Sequence, residues 1–256
     1  GRLFGLPEAD WDMLHRLAEL NTSGQDPEIN PDGDNREAGS ADSSLQMAMY
    51  GMQFAAERRA MDPQGDLMDV ILGQEFAGRF LNDIEIGSML VQMITAGNDT
   101  SVTMMAGGLW ALLEHPAQLR ELRDDPSLVP SAVEEILRWY NPLHYFRRTA
   151  TADTEIAGTR IAAGDKVAMY YTSANRDEAV FDDSQSFDIH RSPNPHLSFG
   201  IGEHFCLGVH LARLEGRVFF EELLTTFSTI EQTGDAVRIR SNLNNGLKRL
   251  PVRLAA

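Results

Sequence analysis

The chain has 256 residues, 43% of them apolar, so it is long enough and hydrophobic enough to bury a sizeable core. Its 38 acidic side chains outnumber the 22 Lys and Arg and give a net charge of -16, which argues against a nucleic-acid partner and against docking on anionic lipid. A single cysteine excludes an internal disulfide, and no signal peptide is visible, so we expect a cytoplasmic protein.

The N-terminal part of the chain is predicted to be helical with one long interruption. Leu6-Pro7-Glu8 opens a first helix, with proline and acids in its first turn. Residues 22–41 are polar and rich in Gly, Pro, Asn and Asp, which predicts a loop that is either a lid or a disordered connector. Helical patterning returns at Ser43–Met61 and at Leu67–Phe80.

The longest predicted helix spans residues 82–114. It opens on Asn82 and Glu85, which are spaced as in a capping box. Its stretch 88–113 is the most apolar of the chain, but an Asn-Asp pair interrupts it. We therefore interpret it as a buried core helix and expect no membrane span.

Two helices punctuated by Pro116 and Pro130 follow, and the second is predicted to stop at Asn141-Pro142. Short β-branched runs with Gly turns over residues 147–170 predict hairpins. Residues 176–198 are rich in turn formers and predict a meander without regular structure.

The C-terminal part is predicted to contain a last helix and a small sheet. The helix is Leu207–Phe227, and short strands at 237–239 and 247–252 flank an Asn-Asn-Gly turn. The predicted fold class is therefore mainly α with small β-sheets.

Residues 196–208 form a Gly-rich loop that contains the lone Cys206. A lone thiol is an idle buried residue, a nucleophile or a metal ligand. A structural zinc site usually takes four ligands, whereas one thiolate suits the axial position of haem iron. Glycines let backbone N–H groups approach a sulfur, and a helix starting next to it adds a positive end. The alternative is a small buried hydrophobe.

The stretch A-G-N-D-T at 96–100 contains three residues that are unfavourable inside the long helix. Gly97 costs about 1 kcal/mol against Ala, and a buried Asp99 is unfavourable unless it is hydrogen-bonded or protonated. Thr100 can bond to the preceding turn and bend the helix. A functional kink is predicted; the alternative is a helix N-cap at Asn98 or Asp99.

Two further charged motifs have ordinary explanations when each is taken alone. Glu135-x-x-Arg138 on a helix is usually a solvated ion pair worth a few tenths of a kcal/mol. Arg147 and Arg148 on a strand point to opposite faces, so one of them can reach a buried anion. The alternative is two exposed strand arginines.

Together the four motifs resemble a known family. Phe199-x-x-Gly202-x-His204-x-Cys206-x-Gly208 resembles the cysteine-ligand loop of the cytochrome P450 family, and the other motifs stand in the family's order. The resemblance runs from about Leu6 to the C-terminus and implies the cytochrome P450 fold. Complete members have a longer N-terminal part, so residues 1–256 are expected to be the haem-binding C-terminal portion of one domain.

The resemblance implies haem b as cofactor, with the Cys206 thiolate as axial ligand of the iron. It also implies that Phe199 packs beside the thiolate and that His204 and Arg148 bind the haem propionates. The implied cofactor-binding residues are Ala96, Gly97, Arg148, Phe199, Gly200, His204, Cys206 and Gly208.

The resemblance also implies roles along the long helix, which would lie over the haem. Ala96 and Gly97 would make room for dioxygen, and the catalytic residues Asp99 and Thr100 would carry protons to the distal oxygen. Arg191 would join Glu135 and Arg138 in a structural cluster that holds the cysteine loop. By position in the family, the substrate contacts are Met93, Leu143, Tyr145 and Asn245.

The implied activity is that of a haem-thiolate monooxygenase, which hydroxylates a lipophilic small molecule with dioxygen and electrons from a separate ferredoxin or flavoprotein. The stretches 148–158 and 173–178 resemble bacterial members that act on steroids, terpenoids and lipid chains. One alternative is a peroxide-driven haem enzyme, although such members tend to replace the Asp-Thr pair with Arg-Pro. Another is a non-catalytic haem-binding module.

Overall fold

The computed structural model describes residues 1–31 and 36–256. The chain forms two compact units, residues 1–99 and 100–256, and the longest helix contributes residues to both. The predicted class, mainly α with small sheets, is confirmed.

Helices dominate both units. In the described part of the chain, the α-helices are Trp11–Ser23 (α1), Arg36–Arg59 (α2), Leu67–Gly73 (α3), Asp83–Glu114 (α4), Pro116–Asp124 (α5), Val129–Trp139 (α6), Tyr171–Ala174 (α7) and Val209–Thr226 (α8). None of these described helices is both long enough and apolar enough to cross a bilayer.

The strands pair two by two into antiparallel hairpins and ribbons. In the described residues they are Glu75–Phe76 (β1), Arg79–Phe80 (β2), Tyr145–Thr149 (β3), Thr154–Ile156 (β4), Thr159–Ile161 (β5), Lys166–Tyr170 (β6), Thr229–Gln232 (β7), Val237–Arg238 (β8), Leu247–Arg249 (β9) and Val252–Ala255 (β10). The pairs are β1–β2, β3–β6, β4–β5, β7–β10 and β8–β9.

The first unit packs its helices around an apolar cluster that includes the buried side chains of Leu17, Met47, Met68 and Leu90. Next to this cluster, Arg58 near the end of α2 donates to both carboxylate oxygens of the α3 N-cap residue Asp66, at 2.8 and 3.0 Å. Removing the apolar surface of this cluster from water stabilises the unit. The ion pair fixes where α3 begins.

The predicted loop 22–41 is shorter than the sequence indicates. Its first two residues belong to α1, and α2 already begins at Arg36. The helix ends are tied by polar contacts, because Asn21 Nδ2 donates to Ser44 Oγ at 2.6 Å and Ser40 Oγ donates to the Asn21 carbonyl at 3.1 Å. A polar composition therefore marks a helix contact here, and the part of the predicted loop at 32–35 lies outside the described residues.

The predicted helix at 67–80 is also wrong in its second half. The helix α3 ends at Gly73, and residues 75–80 form the β1–β2 hairpin. The hairpin turns at Ala77 and Gly78, whose φ angles of 51° and 79° are both left-handed. Two consecutive positive φ values match the two-residue turn whose twist suits a hairpin.

The long helix α4 confirms the prediction at 82–114 to within a residue. Glu85 N–H donates to Asn82 Oδ1 at 3.0 Å, and Asn82 N–H donates to Glu85 Oε2 at 2.9 Å, which is the predicted capping box. The helix is uninterrupted through Asn98 and Asp99, so the alternative of an N-cap there is wrong. The functional kink stays a prediction.

The core of the second unit lies among α4, α5, α6 and α8. Leu112, Ile136 and Phe220 have no exposed surface and belong to one apolar cluster. The helices α4 and α6 approach closely at Gly107, where an added Cβ would lie 1.9 Å from Cδ1 of Tyr140. Only glycine lets the Tyr140 ring occupy this place.

The C-terminal strands differ from the prediction at two points, the first of which is β7, a strand at Thr229–Gln232 that the sequence did not predict. The predicted strand 247–252 is two strands, β9 and β10, separated by Leu250 and Pro251. Pro251 has no N–H to donate, and its carbonyl accepts from Thr233 N at 2.9 Å. The predicted hairpins over 147–170 are confirmed as β3–β6 and β4–β5.

Candidate functional site

The cysteine loop is built on two tight turns. Gly200 N–H donates to the Leu197 carbonyl at 2.8 Å, and Phe205 N–H donates to the Gly202 carbonyl at 3.0 Å. Gly200 has a φ of 70°, and an added Cβ there would lie 3.3 Å from the Tyr171 hydroxyl, so both conformation and space favour glycine.

Cys206 closes this loop as a half-buried free thiol. Its N–H donates to the Phe199 carbonyl at 2.9 Å, and α8 begins three residues later at Val209. In the same loop, the apolar residues Ile201 and Leu207 are 78% and 77% exposed. A cysteine in an outward-facing apolar loop does not fit the alternative of a small core residue.

The predicted propionate partners lie on exposed backbone. His204 is exposed at the end of a short turn, and Arg148 is exposed in the middle of β3, opposite Val167. Arg148 Nη1 donates to the Arg147 carbonyl at 3.0 Å. Both arginines are exposed and no described hydrogen bond joins Arg148 or His204 to the thiol, so the propionate role of Arg148 and His204 stays a prediction.

The first unit contains the predicted residues of α4 up to Asp99. Ala96 and Gly97 are exposed, and Met93 is half-buried. The carboxylate of Asp99 accepts from Asn98 Nδ2 at 2.7 Å and from the hydroxyl of Thr22 on α1. The expected hydrogen bonding of this acid is therefore present. In the second unit, Thr100 is half-buried.

Glu135, Arg138 and Arg191 are brought together as the resemblance implies. Glu135 and Arg138 have no side-chain exposure, so the alternative of a solvated ion pair is wrong. Arg138 Nε and Nη2 donate to the two carboxylate oxygens of Glu135 at 2.8 and 2.7 Å, and Arg191 Nε donates to the same carboxylate at 3.2 Å.

Arg138 also holds the meander through backbone carbonyls. Its remaining N–H groups donate to the carbonyls of Asn175, Ser184 and Ser186 at 2.8, 2.9 and 2.7 Å. All donors of this buried guanidinium are thus used, which is what burial of a charge requires. The cluster fixes the meander that leads into the cysteine loop.

A second ionic cluster, which the sequence did not predict, forms around Glu134, the residue that precedes Glu135 on α6. Glu134 accepts from Arg213 Nε and Nη2 at 2.7 and 2.8 Å, and it lies 3.1 Å from Nε2 of the buried His196. The Arg213 guanidinium lies 4.9 Å from the ring centroid of Phe199. In the sequence, the only sign of two separate ionic contacts is that two glutamates, Glu134 and Glu135, stand next to each other on α6.

The predicted substrate contacts differ in their surroundings. Leu143 is half-buried and forms a β-bridge with Asn244, and the rings of Tyr145 and Tyr170 lie 5.2 Å apart. The amide of Asn245 is engaged at both ends, because it donates to the Asn141 carbonyl at 3.0 Å and accepts from an arginine of β8 at 2.7 Å. Its side chain therefore holds the turn.

The second unit also contains a cleft of about 600 Å³ between the end of α4 and the β8–β9 ribbon. Arg238 lies over the rings of Trp110 and Tyr140, at 5.1 and 5.3 Å from their centroids. Burial and the nearby Arg238 charge lower the pKa of His144 in its wall. Among the described residues, no group of His, Cys, Asp and Glu could hold a metal ion by itself.

Comparison with solved structures defines the class of protein. A cytochrome P450 of Mycobacterium marinum, solved in complex with pseudoionone, matches 98% of this chain with a TM-score of 0.91 at 38% sequence identity. The match covers 60% of that protein. The architecture is therefore the cytochrome P450 fold.

Sequence comparison identifies the family. The cytochrome P450 family model matches residues 46–254, so the chain belongs to the cytochrome P450 family. Its relatives include a methyl-branched lipid omega-hydroxylase of Mycobacterium tuberculosis, 40% identical over 98% of this chain, and a steroid C26-monooxygenase of Mycolicibacterium smegmatis, 35% identical over 98%. The chain spans 58% and 57% of the length of these two relatives.

Haem b is the cofactor of this family, and the residues present fit it. The chain offers one free, half-buried thiol on a glycine-rich turn, next to a helix start and to exposed apolar side chains such as Leu207. Thiolate is a donor that haem iron accepts, and apolar surface suits a porphyrin face. Exposed His204 and Arg148 supply N–H donors for carboxylates.

Proposed function

We propose that this chain is the haem-binding portion of a cytochrome P450 monooxygenase that hydroxylates a lipophilic small molecule. The observation that carries the proposal is Cys206, a free thiol held in an outward-facing apolar loop by its bond to the Phe199 carbonyl. Cys206 would bind the haem iron through its thiolate. His204 and Arg148 would bind the propionates, and Phe199, Gly200 and Gly208 would shape the loop around the thiolate.

Bound haem supplies the oxygen-activating chemistry, and a thiolate ligand favours cleavage of the O–O bond. The residues of this chain would control space and protons. Ala96 and Gly97 would leave room for dioxygen, since neither carries more than a methyl group. The Thr100 hydroxyl and the Asp99 carboxylate would hold and pass protons, with Asp99 oriented by its bonds from Asn98 and Thr22.

The substrate class is supported by relatives and by composition. The relatives named above act on a methyl-branched lipid and on a steroid, according to their names. A lipophilic substrate would find apolar and aromatic surface on Met93, Leu143 and Tyr145. Asn245 would fix the adjoining turn. Electrons would come from a separate ferredoxin or flavoprotein. The lid role of residues 22–41 and the cytoplasmic location stay predictions of the sequence.

The experiment is a reconstituted turnover with labelled dioxygen. The haem-loaded chain is mixed with a ferredoxin, its reductase and NADH, and a methyl-branched fatty acid or a steroid is supplied. We expect a hydroxylated product that carries one labelled oxygen atom. Product formed only with hydrogen peroxide would favour a peroxide-driven enzyme, and bound haem without any product would favour a non-catalytic haem-binding module.

A further inference from the structure

The carboxylate of Glu134 joins three elements around the start of the cysteine loop. Glu134 lies on α6, Arg213 lies on α8, and His196 lies at the entrance of the loop. Arg213 donates to both oxygens of Glu134, at 2.7 and 2.8 Å, which is the bidentate geometry of a strong charge-assisted pair.

His196 makes the second contact from an almost fully buried position, with 2% side-chain exposure. Ser198 N–H donates to its Nδ1 at 3.3 Å, so Nε2 carries the proton and donates to Glu134 Oε2 at 3.1 Å. Both ring nitrogens are therefore used, and the orientation of the ring is fixed.

Both partners of Glu134 also contact Phe199. The Arg213 guanidinium carbon lies 4.9 Å from the centroid of the Phe199 ring, and the His196 ring lies 5.9 Å from it. A guanidinium over an aromatic face is attractive, and both groups restrict the ring. The carbonyl of Phe199 accepts from Cys206 N–H at 2.9 Å. One backbone hydrogen bond therefore connects the residue that carries the ring to the residue that carries the thiol.

We propose that Glu134 and its two partners, His196 and Arg213, form a clamp that positions the cysteine loop for its cofactor. These are positioning residues, because they act through Phe199 and do not touch the thiol. The inference rests on the proposed function and deepens it. Two adjacent residues of α6 then have different roles, because Glu135 fixes the meander and Glu134 fixes the cysteine loop.

Electrostatics supports the clamp. Burial alone would raise the pKa of Glu134, but the hydrogen bonds from His196 and Arg213 lower it to about 2. The carboxylate is therefore ionised at neutral pH, where it binds both partners. By the same bonds, the pKa of Arg213 is raised.

The test uses the fact that Cys206 is the only cysteine of the chain. The rate at which a chromogenic disulfide reagent labels the thiol is measured in the full 256-residue chain, as purified without haem and again after haem addition. Arg213→Gln removes the fork over Phe199, and Glu134→Gln removes the shared carboxylate at nearly constant volume. Glu121→Gln is the matched control, because Glu121 pairs with His190 in an exposed contact at 2.8 Å.

We expect Arg213→Gln and Glu134→Gln each to speed labelling about fivefold, which corresponds to about 1 kcal/mol of local opening free energy. The double variant should be no faster than either single one, because both remove the same clamp. Arg213→Lys should restore part of the protection, and Glu121→Gln should label like the wild type. In the haem-loaded chain, both clamp variants should lose part of the thiolate-type Soret band of the reduced carbon-monoxide complex.

Labelling of Arg213→Gln within about 1.5-fold of the wild type would overturn the proposal, since that is too small for the loss of a bidentate pair. Should Glu134→Gln unfold the chain, Arg213→Gln alone decides, because Arg213 is a partly exposed residue on the surface of α8. The labelling rate of the thiol is measured without haem. A chain that binds no haem would therefore contradict the proposed function, whereas the labelling rates would still test the clamp.

Discussion

Glu135 and Arg138 form a bidentate ion pair in which neither side chain has any solvent exposure. Each group satisfies the other, and the remaining donors of Arg138 hold carbonyls of the meander. Burying two charges is unfavourable in itself, so such a pair stabilises the fold only while both partners and their hydrogen bonds are present.

Breaking this pair should therefore be among the most damaging single changes in the chain. We expect Arg138→Met to lower the free energy of unfolding by about 3–5 kcal/mol, because it leaves the Glu135 carboxylate buried without its main partner. Urea denaturation followed by circular dichroism measures this loss. In the control, Asp153→Asn breaks the exposed Arg160–Asp153 pair, which should leave the free energy of unfolding nearly unchanged because solvent screens the pair. Equal losses would contradict the assigned role of the buried cluster.

Two glycines of α4 should respond to alanine with opposite signs. At Gly107 an added Cβ would meet the Tyr140 ring, so Gly107→Ala should lower the free energy of unfolding by about 1–3 kcal/mol. At Gly97 no neighbouring atom of the described residues lies within 4 Å of an added Cβ, so Gly97→Ala should raise the free energy of unfolding by up to about 1 kcal/mol through helix propensity. Thermal unfolding of the haem-free variants checks both signs, and a loss of stability in Gly97→Ala would show crowding that the structure lacks.

Changing Thr100 should affect proton delivery and leave haem binding intact. We expect Thr100→Ala to keep the thiolate-type spectrum and to divert electrons from hydroxylated product into hydrogen peroxide, because the hydroxyl that would pass the proton is gone. The peroxide formed per NADH consumed measures this. Thr100→Ser is the matched control, since it keeps a hydroxyl and should keep most of the coupling. Unchanged coupling in Thr100→Ala would remove Thr100 from the mechanism.

The lowered pKa of Glu134 predicts a particular dependence of stability on pH. The ordinary glutamate value is 4.5, and the value in the folded chain is about 2, so the folded state binds the proton less readily. The contribution of Glu134 is therefore fully present above about pH 4.5 and is lost as the pH falls toward about 2. Stability measured across this window should fall less steeply in Glu134→Gln than in the wild type or in Glu121→Gln. Parallel curves would contradict the assigned charge state.

Local chemistry explains which elements the sequence predicted well. The start of α4 depends on Asn82 and Glu85, three residues apart, and the start of α5 depends on Pro116 at its first position. Such signals need no knowledge of the rest of the fold. The hairpin at 75–80 was missed because an Ala at positive φ is uncommon and nothing in the pattern announces it.

Long-range contacts explain what the sequence did not predict. The start of α2 depends on a contact between Asn21 and Ser40, which a polar composition disguises as a loop. The partners of Glu134 lie 62 and 79 residues further along the chain, so no spacing rule connects them. The burial of Glu135 likewise follows from the meander that folds over it, whereas an isolated helix would leave the same residue in solvent.

The sulfur of Cys206 is the group that we propose as the ligand of the haem iron. The most direct test is the carbon-monoxide difference spectrum of the reduced, haem-loaded chain, compared between the wild type and Cys206→Ala. We predict a thiolate-type Soret band in the wild type and its complete loss in Cys206→Ala, with both proteins equally folded by circular dichroism. The same band in both proteins, or haem bound by the wild type without it, would contradict the claim.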